Sequence, residues 1–350
     1  VADVTQAASV PPEDIFGLTV VGNTTMLQLF LGINPDALAR SPYVPAATDA
    51  MQFTGGELGI AAYRGAHVWA LPSIAGWVGA DAVGVMLATG LHKGDEIALA
   101  VDIGTNGEMA LGSRARFITC STAAGPAFEG AHISCGMRAA EGAIDSVRID
   151  GDVHWHAIGQ RAPLGICGSG LVDVVAEMLR AGIIDSTGMM QSGEALRADG
   201  HRRLSERIAR AGGQREFQLV RADGRTVSRT IRVTQRDVRE LQLGKGAIRA
   251  GIEILMKELR VSPEDVERVY LAGAFGNYVR AESALGIGLI PHIPNARILA
   301  VGNAAGSGAK MALLSASARA EAIELAARSE YLELSGRVDF QGAFAEAMLF

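Results

Sequence analysis

Apolar residues fall into short blocks separated by glycine turns. Leu18 to Val21 predicts a strand stopped by Gly22-Asn23, and Thr24-Thr25 are placed to cap a helix over Met26 to Leu31. Residues 34–66 are rich in Pro and Gly and predict irregular backbone. Val68 to Leu71 predicts a second strand, broken by Pro72-Ser73 and followed by helix through Leu91. Ile97 to Leu111 reads as a hairpin, with an apolar strand entering and a Gly104-Thr105-Asn106-Gly107 turn reversing it. Arg116 to Ser121 predicts another strand, residues 122–133 a loop leading into a helix, and 144–158 a hairpin about Asp150-Gly151-Asp152. Gly165 to Gly182 is a glycine turn entering a helix, and Asp237 to Leu259 has a helical apolar period. Strands follow over 267–276 and 297–301; Gly302 to Gly308 then opens a long helix, and 318–350 reads as a helical tail. Glycine turns at the ends of apolar strands, alternating with helices, predict an α/β chain whose ligand sits at strand ends.

Composition narrows the classes. The 350 residues are 49% hydrophobic and 20% charged, which excludes disorder for the bulk of the chain and predicts two compact lobes or three. The formal charge of −6 argues against nucleic acid as a main partner. Leu71 to Leu91 has the length of a membrane span and one charge, Asp81. Pro72 and four glycines interrupt it, so a buried helix is expected and no membrane. Cys120, Cys135 and Cys167 are scattered, which argues against a disulfide scaffold or a cysteine-rich metal cluster and fits a reducing cytoplasm. Forty-three glycines, about 12% against a usual ~7%, cluster in motifs where backbone could meet ligand.

Three motifs carry candidate chemistry. In Val101 to Glu108, Asp102 ends an apolar strand before a tight turn. Its carboxylate could hold Mg²⁺ through waters, while Gly104, Thr105, Asn106 and Gly107 present donors to phosphate oxygens. A plain hairpin with Asp102 as a local acceptor is the alternative. In Ala124 to Gly130, Gly125 and Gly130 flank Glu129 at a helix start, which could face an anion, a metal or a water, or be simply a capped helix. In Leu271 to Asn277, Gly273, Ala274, Phe275, Gly276 and Asn277 allow close approach to a flat ring such as adenine, or form a buried corner.

Other features have blander readings beside the functional one. Gly302 to Gly308 serves a hinge or close helix packing, and Gly165 to Gly170 is similar, with Cys167 structural. Lys245 and Arg249, spaced i,i+4, make a nucleotide contact or a solvated face. His154 and His156 share one strand face without an evident third ligand. Residues 194–240 hold twelve arginines against seven acids, which could dock an acidic partner or form a solvated face, with a short hairpin near 217–233. Asp81 is a core acid or a functional carboxylate.

The order of these motifs resembles the sugar kinase/Hsp70/actin superfamily (ASKHA), whose two ribonuclease H-like lobes clamp Mg-ATP. The hairpin at Asp102 is similar to that superfamily's second phosphate motif, Gly273 to Asn277 to its adenosine motif, and Gly302 to Gly308 to its second connecting helix. Val21 to Met26, Leu71 to Gly76, Val101 to Glu108, Cys120 to Gly130, Gly165 to Gly170 and Leu271 to Asn277 together resemble the reductive activators of corrinoid proteins over roughly residues 13–315. That resemblance implies ATP-dependent return of a Co(II) corrinoid to Co(I) for methyl transfer, with a corrinoid protein and an electron donor as partners. It implies ATP and Mg²⁺ as cofactors, Asp102 as the metal-binding residue, and Asp102 and Glu129 as the catalytic carboxylates. Gly104, Thr105, Asn106, Gly107, Gly125 and Gly130 are then expected on the phosphates, and Lys245 and Gly273 to Asn277 on adenosine.

Family members carry a [2Fe–2S] domain ahead of the ATP-binding part. No C-x₄-C-x₂-C run occurs here, so that cluster is expected only outside this chain. Only one D-x-G-T hairpin occurs and the first residue is Val1, so we expect a fragment with an incomplete first lobe. The expected organisation is a partial first lobe over 1–93, a second lobe over 94–315 with an Arg-rich insertion at about 190–235, and a helical tail over 316–350. A homodimer is compatible with the apolar content. Two other functions share the fold: a small-molecule kinase, for which Asp81 is the tempting base, and a nucleotide-gated docking module without catalysis.

Overall fold

The computed structural model of the chain describes residues 1–273 and 279–350. Along the chain the elements begin with α1 (Ala2–Ala8), β1 (Gly17–Val20), α2 (Thr24–Phe30), β2 (Met51–Thr54), β3 (His67–Ala70) and α3 (Ala80–Thr89). A meander follows: β4 (Ile97–Ile103), β5 (Asn106–Gly112) and β6 (Phe117–Ala123). Next come β7 (Ala143–Asp150), β8 (Asp152–Ala157), β9 (Gly165–Ile166), α4 (Gly168–Arg180), α5 (Gly193–Ala198) and α6 (Arg202–Ser205). Then β10 (Ile208–Ala211), β11 (Gln214–Val220), β12 (Ile231–Thr234), α7 (Gln235–Leu259), β13 (Val266–Ala272), α8 (Ala281–Gly286) and β14 (Arg297–Gly302). The chain closes with α9 (Ala304–Leu314), α10 (Ala316–Arg328), β15 (Glu330–Tyr331) and α11 (Val338–Ala347).

Two compact units are built from discontinuous stretches. The first is Val1–Ala100, Glu108–Ser121 and Asn303–Leu332, and the second is Val101–Gly107, Thr122–Gly302 and Glu333–Phe350. A six-stranded sheet has the order β14-β13-β4-β5-β6-β15. β4 is apolar on both faces, as a strand at the centre of a sheet covered on both sides must be.

In the first unit, β3 pairs parallel to β1 and antiparallel to β2. α3 and α9 cross at two glycines: a Cβ on Gly308 would stand 2.1 Å from the Gly84 carbonyl oxygen. Of the two readings of the Gly302 to Gly308 run, close packing is the one seen. α3 is almost wholly buried, as expected for the Leu71 to Leu91 stretch, although helix begins only at Ala80. No helix among the described residues is long and apolar enough to cross a membrane.

In the second unit, β7 lies between β8 and β9, and α4 packs on β7. Arg280, Asp173 and Glu177 form an ion network here: Arg280 Nε lies 2.9 Å from Asp173 Oδ2, and the backbone N–H of Ile149 donates to Glu177 Oε2 at 2.7 Å. α7, 25 residues long, starts from a capping box in which Thr234 Oγ1 accepts from the Asp237 N–H while the Asp237 carboxylate accepts from the Thr234 N–H. The Asp237 carboxylate also accepts from the Ser134 N–H at 2.8 Å, which ties the helix start to the loop before β7.

Several expectations need correction. Asn23, not Thr24 or Thr25, caps α2, its side chain accepting from the Met26 N–H. Residues 34–66, expected to be irregular, contain β2, and the expected two-stranded hairpin near 217–233 is joined by β10 into a three-stranded sheet. The helix expected after residue 122 is a single 3₁₀ turn, Pro126–Glu129, because Gly125 (φ +77°) and Gly130 (φ +77°) bend the backbone at both of its ends.

Candidate functional site

The β4–β5 connection is a two-residue turn, Gly104-Thr105, closed by a hydrogen bond from the Gly104 N–H to the Asn106 carbonyl (3.0 Å). It leaves Asp102, half-buried near the end of β4, on the wall of a cavity of about 430 Å³ within the second unit. The same cavity is lined by Gly104, Phe128 and Glu129, by Met137 to Ala139, by Cys167 to Ser169, and by Gly273.

Gly273 is required where it stands. Its φ is +102°, and a Cβ there would lie 2.5 Å from the Ile103 carbonyl oxygen and 2.8 Å from Asp102 Oδ1. Its N–H donates to the Gly302 carbonyl at 2.9 Å, so the end of β13 is fixed against the end of β14 beside the Asp102 carboxylate. Ala274, Phe275, Gly276 and Asn277, the rest of the expected adenosine segment, lie outside the described residues.

Glu129 is exposed at the end of the 3₁₀ turn and accepts a hydrogen bond from Thr105 Oγ1 at 2.5 Å. The Gly125 N–H donates to the Thr105 carbonyl at 2.9 Å. The two glycine motifs, distant in sequence, are therefore joined twice. α7 holds both from behind. A Cβ on Gly244 would stand 2.7 Å from the Ala124 carbonyl oxygen, and one on Gly107 would stand 2.6 Å from Ile248 Cγ1. Gly107 and Gly130 lie outside the cavity wall and serve close packing, Gly107 against α7 and Gly130 against the Met137 backbone.

Lys245 turns elsewhere. Its Nζ donates to the Leu349 carbonyl, with the Phe350 ring centroid 5.0 Å away, and burial lowers its pKa to about 8. It is 1% exposed and holds the C-terminal residues against α7 instead of lining the cavity. Arg249 pairs with Glu253 at 2.6 Å. Asp81 belongs to the first unit and accepts the Ala82 N–H, as an acid in the first turn of a helix does, and burial pushes its carboxyl up. His154 and His156 are exposed on β8, with His156 Nδ1 2.7 Å from Asp145.

Sequence reasoning left the α4 entry and the Met137 to Ala139 segment out of the site. α4 starts at Gly168 without a side-chain cap, so its first N–H groups, with the positive end of the helix dipole, lie at the cavity. The Gly-Ser-Gly helix entry was the available signal. Cys167 is buried and its Sγ lies 3.3 Å from the Ile144 carbonyl, a packed thiol on the cavity wall. Two carboxylates and an uncapped helix start on one cavity suit an anion that carries its own metal ion.

The family described as the C-terminal domain of RACo, the ASKHA domain, matches residues 96–350, and the RACo middle region matches residues 1–94. The chain is 38% identical over 316 residues, 90% of its length, to the corrinoid activation enzyme RamQ of Eubacterium limosum, covering 53% of that protein. It is 35% identical over 278 residues, 73% of its length, to the [Co(II) methylated amine-specific corrinoid protein] reductase of Methanosarcina barkeri, covering 46% of it. A solved reductive activator for corrinoid, iron-sulfur protein superposes on the whole chain with a TM-score of 0.90 and 38% identity, the chain covering 55% of it. The chain thus spans about half the length of the relatives it matches, and its α/β architecture is that of an ASKHA domain. By these matches, along 1–94 and 96–350 alike, the chain belongs to the RACo family of reductive activators of corrinoid proteins.

Proposed function

We propose that this chain is the ATP-binding portion of a reductive activator that returns an inactivated Co(II) corrinoid protein to Co(I). The observation that carries the reading is the meeting of Asp102, Gly104, Glu129 and Gly273 with the start of α4 on one cavity. The fit to Mg-ATP rests on the same place. A half-buried carboxylate faces a space that any side chain at position 273 would fill, and uncapped N–H groups of α4 lie on the same wall.

In this reading Asp102 holds the hydrated Mg²⁺ of the nucleotide. The backbone of Gly104 and the N–H groups of Gly168 and Ser169 receive phosphate oxygens. Glu129, oriented by Thr105, faces the water that attacks the terminal phosphate, and Gly273 to Asn277 receive adenosine. Mg²⁺ supplies charge neutralisation of the phosphate chain when bound. The electron would come from a separate donor and the corrinoid protein would accept it, in the cytoplasm. The physical problem is an uphill one-electron transfer, in which each ~59 mV is a factor of ten. Nucleotide binding would bias a conformational equilibrium toward the reducible complex.

The test has two parts. Calorimetric titration with Mg-ATP should give binding that Asp102→Ala abolishes. With the intact protein, reductant and a corrinoid protein, the Co(I) absorption band should grow only when ATP is present. Co(I) formation at the same rate without nucleotide would refute the coupling.

A further inference from the structure

We propose that Arg138 is a phosphate-binding residue of the nucleotide site, a deepening that rests on the reading above. Three observations lead to it. First, Arg138 is exposed on the wall of the cavity that Asp102, Glu129 and the α4 start share, and its guanidinium has no hydrogen-bond or ion-pair partner among the described residues. A guanidinium beside two carboxylates that pairs with neither is available to a ligand.

Second, the backbone that carries it is fixed. The Ile166 N–H donates to the Cys135 carbonyl at 2.8 Å, and the Met137 N–H donates to the Ile166 carbonyl at 3.0 Å, so Ile166 of β9 holds the residues just before Arg138 at two points. Glycines close the grip. A Cβ on Gly136 would stand 1.9 Å from the Gly130 carbonyl oxygen, one on Gly130 would stand 2.5 Å from the Met137 carbonyl oxygen, and one on Gly165 would stand 2.7 Å from the Cys135 carbonyl oxygen. Gly130, a candidate phosphate contact in the sequence, and Gly165 both pack against the backbone that leads into Arg138. A cation on a pinned backbone loses less freedom on binding than one on a mobile loop.

Third, the chemistry of the wall is complementary to one ligand class. Carboxylates suit a divalent cation; a rigid planar fork of donors suits phosphate oxygens, and Arg delivers it bidentately. A nucleoside polyphosphate with its metal presents both partners.

Calorimetry with Mg-ATP, Mg-ADP and adenosine on the intact protein tests this, comparing wild type with Arg138→Gln and Arg138→Lys. Arg138→Gln should weaken Mg-ATP about ten- to hundred-fold, the size of a charge-assisted hydrogen bond, and leave adenosine affinity unchanged. Arg138→Lys should recover part of the loss. An unchanged thermal midpoint would exclude misfolding. If Asp102→Ala loses Mg-ATP while Arg138→Gln binds it like wild type, this inference falls and the nucleotide reading stands. An equal loss of adenosine and Mg-ATP in Arg138→Gln also overturns it, since the residue would then act through structure. If the wild type binds no Mg-ATP, both fall together.

Discussion

At the scale of single residues, glycine is informative only once its surroundings are known. Gly125 (φ +77°) and Gly273 (φ +102°) both hold backbone that other residues rarely adopt, yet a Cβ at Gly125 meets nothing within 4 Å. Gly125→Ala should therefore cost only the conformational strain, about 1–2 kcal/mol. Gly273→Ala adds overpacking against Ile103 and Asp102, and should cost about 2–4 kcal/mol and abolish Mg-ATP binding. Urea unfolding of the two variants, beside a titration, checks the contrast. Lys245 gives a pH test. Its pKa of about 8 in the folded protein lies below the ordinary 10.5, so between those values the unfolded chain holds more protons than the folded one. Stability should be constant below about pH 8 as far as this group is concerned and rise as pH climbs toward 10, by roughly 3 kcal/mol at most. Urea midpoints at pH 7 and pH 10 should differ in wild type by more than in Lys245→Met.

At the scale of elements, helix entries and helix contacts decide what the strand ends can do. α7 supports the Asp102 turn through Ile248 against Gly107 and the Glu129 turn through Gly244 against Ala124. Its own start depends on the fully buried Asp237, which satisfies the Thr234 and Ser134 N–H groups. Asp237→Ala strands both donors and should destabilise by about 2–4 kcal/mol, with Asp237→Asn milder, as read by thermal unfolding. In the first unit, Gly308→Ala would drive a methyl into the Gly84 carbonyl and separate α3 from α9. A loss of about 3 kcal/mol or more is expected, against under 1 kcal/mol for Gly336→Ala, which has open space around it. The Arg280–Asp173–Glu177 network holds two carboxylates of α4 against β7, where burial pushes the Asp173 carboxyl up and the Arg280 guanidinium opposes it. These acids are accounted for by packing α4 on β7.

At the scale of the whole molecule, ligand linkage gives the broadest test. A ligand at a hundred times its Kd stabilises the fold by ~2.7 kcal/mol, so saturating Mg-ATP should raise the thermal midpoint by a few degrees in wild type and not in Asp102→Ala. The sequence by itself determined the α/β class and most strands, because apolar blocks closed by glycine turns have few other ways to fold; β4 and β5 run almost where Ile97 to Leu111 placed them. It also exposed Asp102, Gly104, Glu129 and Gly273, since an acid or glycine at a strand end leaves a local signature, and those four do line one cavity. It missed β2 and β10, which are four residues each, too short for an alternating pattern to show, so that neighbouring strands define them. Three things were settled only by tertiary structure: that Thr105 reaches Glu129, that Lys245 turns to Leu349, and that Arg138, without a partner among the described residues, shares a cavity wall with Asp102. The reason is physical. A turn or a strand is written in residues a few positions apart, whereas side-chain partners 24 or 104 positions away are chosen by how the sheets and α7 pack.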